Sequence, residues 1–273
     1  WTLFGFSLTF SEYGGPFIGD CSYCGATNLG LHCIPPTTMN SISFFIYQGM
    51  FATITSALMF GSSAERVRIM PAMIFMFVWT TVVYDPIAYW TWAKNGWLNK
   101  LGSLDYAGGT PVHIASGFAG LAKALVLGKR LDYDRNTEWK PHSLSNVFLG
   151  TAILWFGWFG FNGGRRRMLK HFLTKWRLQA YIIIPVIVDS IAHCNLITCI
   201  AASTGGLTWV LFDYRNARKL SALGFCSGAV AALVAITPGS GFVAPWSAIV
   251  VGFVAGIACN MGEQGKETKI KQH

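Results

Sequence analysis

The sequence predicts an all-α, polytopic bundle of transmembrane helices, and three observations carry that prediction. Only 12% of the 273 residues are charged, about half the share of a typical soluble domain. Hydrophobic residues make up 52%, and the mean hydropathy is +0.42. The apolar residues also gather in runs near the length of about 20 residues that a spanning helix needs.

Taken in order, residues 1–10 read as the end of a membrane helix, aromatic and without charge. A polar loop follows to about Asn40. Spans are expected near 42–62, 70–93, 111–128 and 144–163. After a basic stretch, an apolar segment runs from Ala180 to Phe212, and spans near 221–237 and 243–261 complete the set. Gly108-Gly109-Thr110-Pro111, Gly163-Gly164 and Pro238-Gly239 supply helix boundaries. No period-two alternation of the barrel kind is present. The whole of 1–273 is read as a single, partial transmembrane domain, with 165–200 atypical and 262–273 a polar tail.

The net charge of +9 suits loop positions better than a nucleic-acid surface, because Lys and Arg cluster between apolar runs. Arg66 and Arg68 form one cluster, and Lys129, Arg130, Arg135 and Lys140 a second. Arg215, Arg218 and Lys219 form a third, and the tail is the fourth. Even numbers of spans separate these clusters if Ala180–Phe212 counts as one span. All four then face the cytoplasm by the positive-inside rule, and the loop with Cys21 lies outside. Arg165, Arg166, Arg167, Lys170, Lys175 and Arg177 break the pattern.

Cys21, Cys24, His32 and Cys33 share the outer loop. They have the chemistry for zinc or for a disulfide, and without a second spaced pair no metal site is assigned. Within spans, His113 is the outstanding ionisable group: in an apolar run an imidazole either packs with a hydrogen bond or lines a pore. Asp105 stands where a helix N-terminus needs a cap. Trp92 closes its span on the outer side, where its π face attracts a small cation. Asp189 and His193 have the chemistry of a proton relay. No His-x-x-x-His spacing suggests an enzyme, and no cofactor is assigned.

Asp105-Tyr-Ala-Gly-Gly-Thr-Pro-Val-His113 resembles the ammonium transporter (Amt/Mep/Rh) signature. Gln48-Gly-Met-Phe51-Ala-Thr-Ile-Thr, Ala64-Glu-Arg-Val-Arg, Pro86-Ile-Ala-Tyr-Trp-Thr-Trp92, Trp155 to Gly164 and Phe225 to Pro238 resemble further family segments in register. The wording is most similar to the fungal methylammonium permease branch. The resemblance implies a multi-pass plasma-membrane channel, a homotrimer with ammonium as its substrate and the lipid bilayer and no nucleic acid as its partners. It implies that Trp92 recruits ammonium, that Phe51 and Phe161 gate the pore, and that His113 is the first of two pore histidines. Asp105 would support the site structurally. A non-conducting sensor or regulatory subunit of the same family is the alternative.

Against the family pattern, the chain is expected to run from the end of the second helix through the ninth. Arg165 stands where a small hydroxyl residue is usual, and either an intron or frame error in the gene or a real insertion would explain 165–200. A fixed cation there would repel ammonium.

Overall fold

In the computed structural model, the described residues are 1–34, 39–129, 142–164 and 180–272, with side chains described in the last stretch for 190–264. Among the described residues the regular elements are helices, and six helical segments are long and apolar enough to cross a membrane. The contacts divide the chain into two units, one built on Trp1–Gly128 and one on the helices that follow.

In the first unit, α1 (Gly5–Phe10) leads into a loop that folds back along it. Gly19 N–H donates to the Leu8 carbonyl at 2.8 Å, and Gly25 N–H to Leu3 at 3.0 Å. The Ser7 hydroxyl donates to the Asp20 carbonyl at 2.7 Å. Within this loop Cys21 and Cys24 are joined by a disulfide, and Cys33 takes no part in it. Of the two chemistries open to that cluster, the structure holds the disulfide. The Asp20 carboxylate accepts the Ser22 hydroxyl at 2.7 Å and the Ser22 N–H at 3.1 Å. These bonds favour its charged form and hold the carboxyl below its ordinary range.

Helix α2 (Ser41–Phe60) starts where the Asn40 side chain accepts the Ser43 N–H at 2.8 Å. The next span is one continuous path. It consists of α3 (Ile69–Trp79), a π-helical turn (Thr80–Tyr84), α4 (Asp85–Trp92) and, beyond a short turn, α5 (Trp97–Lys100). A second π-helical turn (Gly109–Ile114) opens α6 (Ala115–Leu127). Helix α1 packs on α4, and α2 packs on α6 and on both π-helical turns. The outward face of α3 carries exposed Met70, Met73, Ile74, Phe77 and Val78, a surface suited to lipid. Lys123, inside α6, places its Nζ 3.4 Å from the Phe60 ring centroid. An aromatic face thus supplies a partner to a cation in an apolar setting.

The second unit comprises α7 (Leu144–Gly163), α8 (Ala180–Ala217), α9 (Ala222–Ile236) and α10 (Pro245–Gln272). Ser143 and Ser221 cap α7 and α9 through their hydroxyls. Helices α8, α9 and α10 approach closely at glycines. A Cβ on Gly205 would fall 2.7 Å from the Gly228 carbonyl, and one on Gly256 2.9 Å from that of Gly205. Around this seam pack Ile197, Ala201, Ile236 and Ala248, with Trp158, Ala202 and Leu233 alongside. Two buried side-chain bonds pin the helices: Trp158 to Thr237 at 2.9 Å and Asn162 to Thr198 at 2.9 Å.

Two boundaries differ from expectation. The apolar segment from Ala180 extends as one helix to Ala217, and α10 continues through the polar tail to Gln272. Glu, Gln and Lys have good helix propensity, so a polar sequence carries on a helix that an apolar span has already nucleated. The basic residues 165–177, including Arg165, lie outside the described residues.

Candidate functional site

The site grows from the end of α4. Trp92 is the last residue of that helix and is buried. Other rings cover it. Phe10 of α1 lies nearly parallel to it, with centroids 6.4 Å apart and planes 11° apart. Phe51 of α2 meets it edge-on at 5.7 Å and 90°. Phe44 in turn fixes Phe10 in a T-shaped contact at 4.8 Å.

Asp105 does what a cap should. One of its oxygens accepts the N–H groups of Gly108 and Gly109 at 2.7 and 2.8 Å, and the other accepts Thr110 N–H at 2.6 Å. Its carbonyl accepts the Trp92 indole N–H at 3.4 Å. The cap and the tryptophan are thus one structure. Gly108 completes it: its φ is +106°, and a Cβ there would press on Val112 and on the six-membered ring of Trp92. Only glycine meets both demands at low cost.

His113 follows directly. Its N–H donates to the Gly108 carbonyl at 3.3 Å, five residues back, which is the π-helical pattern. The imidazole is buried in the span that opens at Gly109. Trp92, Phe51, Asp105 and His113 are therefore linked within the first unit by ring contacts, the cap and Gly108. Phe161 belongs to the second unit, where its ring lies 5.4 Å from that of Trp158.

Of the relay pair, His193 Nε2 lies 3.1 Å from the Val243 carbonyl, and the Asp189 side chain is outside the described residues. Among the described residues no cluster of His, Cys, Asp and Glu is arranged to hold a metal ion.

Sequence reading missed Phe10 and Asp85, and took Gly108 only as part of a helix boundary and of the family signature. Phe10 gives no local signal, since its partner is 82 positions away in the chain. Asp85 did give one, as a carboxylate in the middle of an apolar run. Because Pro86 follows it, it reads as an ordinary helix start.

The whole chain, residues 1–273, matches the model of the Ammonium Transporter Family. The chain belongs to the ammonium transporter family. It is 49% identical over 260 residues to ammonium transporter 1 of Schizosaccharomyces pombe, covering 95% of this chain and 48% of that protein. It is 46% identical to ammonium transporter MEP2 of Saccharomyces cerevisiae, covering 96% and 50%. The crystal structure of Candida albicans Mep2 superposes with a TM-score of 0.85 at 42% identity, covering 98% of this chain and 56% of that one. The chain thus spans about half the length of these ammonium transporters, and with its spanning helices it is part of a multi-pass membrane protein.

Proposed function

We propose that this chain is the part of an ammonium channel that recruits ammonium, removes its proton and passes ammonia. One observation supports this most: a buried tryptophan, bracketed by two phenylalanines and tied to a capping aspartate, stands above a buried histidine in a membrane span. Ammonium is drawn by the π faces of Trp92, a contact worth roughly 0.5–2 kcal/mol. Carrying the bare ion onward into an apolar path costs far more than carrying neutral ammonia, and desolvation disfavours the charged form. The ion therefore sheds its proton near Phe51. Alkali cations have no neutral form to offer and are left behind.

Phe51 serves as a gating ring, a role the family resemblance also gives Phe161, and His113 offers the passing ammonia a hydrogen-bonding wall. Asp105 touches no substrate in this reading; it holds Trp92 and the start of the His113 span in register. The assembly is a homotrimer in the plasma membrane, with the loop holding Cys21 outside and the basic end of α10 inside. The relatives named above are transporters, which favours conduction over the sensor reading.

The test is methylammonium uptake into yeast cells stripped of their own ammonium transporters, using the longest form of the protein that its transcript encodes. Trp92→Leu should raise the half-saturating concentration about tenfold, and His113→Ala should lower the maximal rate. Unaltered uptake in both variants would sink the proposal.

A further inference from the structure

A carboxylic acid inside a membrane span is costly and is a functional candidate by default. Asp85 is such a group. It is 1% exposed, and neither carboxyl oxygen forms a hydrogen bond to a described residue. The polar side chain that faces it is Thr9 of α1, whose buried hydroxyl lies within weak hydrogen-bonding reach of the carboxyl. The α1 backbone comes close as well: a Cβ on Gly5 would lie 2.9 Å from one Asp85 oxygen. Two buried polar groups side by side without a well-formed bond are rare in folded proteins.

The local backbone is as unusual as the burial. Asp85 follows the π-helical turn Thr80–Tyr84, and the other π-helical turn in this unit bears His113. Turns of this kind occur frequently at functional sites. Asp85, Tyr89 and Trp92 have helical spacing and are all buried, so they share the face that α4 turns to the core. Asp85 lies about 10 Å along the helix from Trp92.

The charged groups nearby are few. Helices α1 and α2 carry no Asp, Glu, Lys, Arg or His. The π-helical turn packed on α4 brings His113.

We propose that Asp85, with Thr9 beside it, is the intramembrane group that accepts the proton ammonium gives up. The proposal rests on the transport reading above and names the acceptor within it. In the step, an N–H bond of ammonium breaks and its electron pair stays on nitrogen. An O–H bond forms on the Asp85 carboxylate, giving ammonia and a carboxylic acid. Two opposite charges in a medium of low dielectric vanish together, which removes the cost of burying either. Thr9 donates to the carboxylate before transfer and accepts from the acid afterwards. The carboxyl resets by passing its proton to water.

The test combines uptake with infrared difference spectroscopy on protein labelled with carbon-13 aspartate. In the parent chain, adding ammonium should raise the C=O stretching band of a protonated aspartic acid. Asp85→Asn should abolish that band and lower maximal methylammonium uptake more than tenfold, with the half-saturating concentration changed less than twofold. Asp85→Glu should retain part of the uptake. A parental spectrum without the ammonium-dependent band overturns the proposal, even if Asp85→Asn fails to accumulate. So does Asp85→Asn uptake at the parental rate. If Trp92→Leu impairs uptake while Asp85→Asn does not, the acceptor alone is wrong. If neither variant matters, the transport reading fails with it.

Discussion

The two units of this chain are packed on different principles. The second is a seam of small residues, where helices meet at Gly205, Gly228, Gly252 and Gly256. The polar Trp158, Thr237 and Thr198 side chains beside it make hydrogen bonds. This is the close-packed arrangement expected where no hydrophobic force separates helices from lipid. The first unit instead buries large rings and polar groups, bends its helices through two π-helical turns, and leaves Asp85 and Thr9 without well-formed bonds. The first unit departs from close small-residue packing at identifiable residues, chiefly its two π-helical turns and Asp85. Departures of that kind concentrate at functional sites.

If the contrast is real, the two halves should break in different ways. Gly205→Leu should cause the largest loss. Its side chain must enter space held by Ala232 and the Gly228 carbonyl, which costs about 3 kcal/mol. Fluorescence-detected size exclusion should show aggregated protein; a monodisperse peak with parental melting temperature would show the seam to be loose. Asp105→Ala should come next. It strips three backbone N–H groups of their acceptor, a loss of about 2 kcal/mol for the cap. Uptake should fall further than thermal stability does, because Trp92 is held by the same residue. Equal falls would make Asp105 a plain helix cap.

Asp20→Asn should have the smallest effect. The Asp20 carboxyl is held below its ordinary value by its bonds to Ser22. A depressed folded-state pKa gives stability above the unfolded value of about 3.9, and that stability is lost as pH falls through the folded value. The parent should therefore lose melting temperature on acidification that the variant does not, by a small, solvent-screened margin. Identical acid profiles would remove the Ser22 bonds from the loop's account.

The spans were legible because lipid imposes a length and a composition that twenty residues are enough to reveal. The Asp105 cap was legible for a similar reason: a carboxylate just before Gly-Gly-Thr-Pro has a local job. What escaped was set across long separations. Trp90 donates to the Phe17 carbonyl and Tyr89 to that of Gly15, so the first loop is tied to α4 by residues with no marking of their own. The π-helical turns were equally silent, since Thr80–Tyr84 has the composition of any apolar helix. Both pack against α2. Trp92 was placed at the right end of the right helix, but its cover by Phe10 depends on α1. Phe161 was legible as part of a family segment, and its gating role rests on the resemblance.

The Cys21–Cys24 bridge also works as a clock. Thiols stay reduced where glutathione is abundant, and a bridge forms only after its segment has left that environment. On the proposed topology, freshly synthesised chains should thus carry two alkylatable thiols at these positions until translocation delivers the segment to an oxidising lumen. Pulse-labelled protein treated with a bulky maleimide would then divide into two bands on a gel, and the fading of the upper band would time the first crossing of the bilayer.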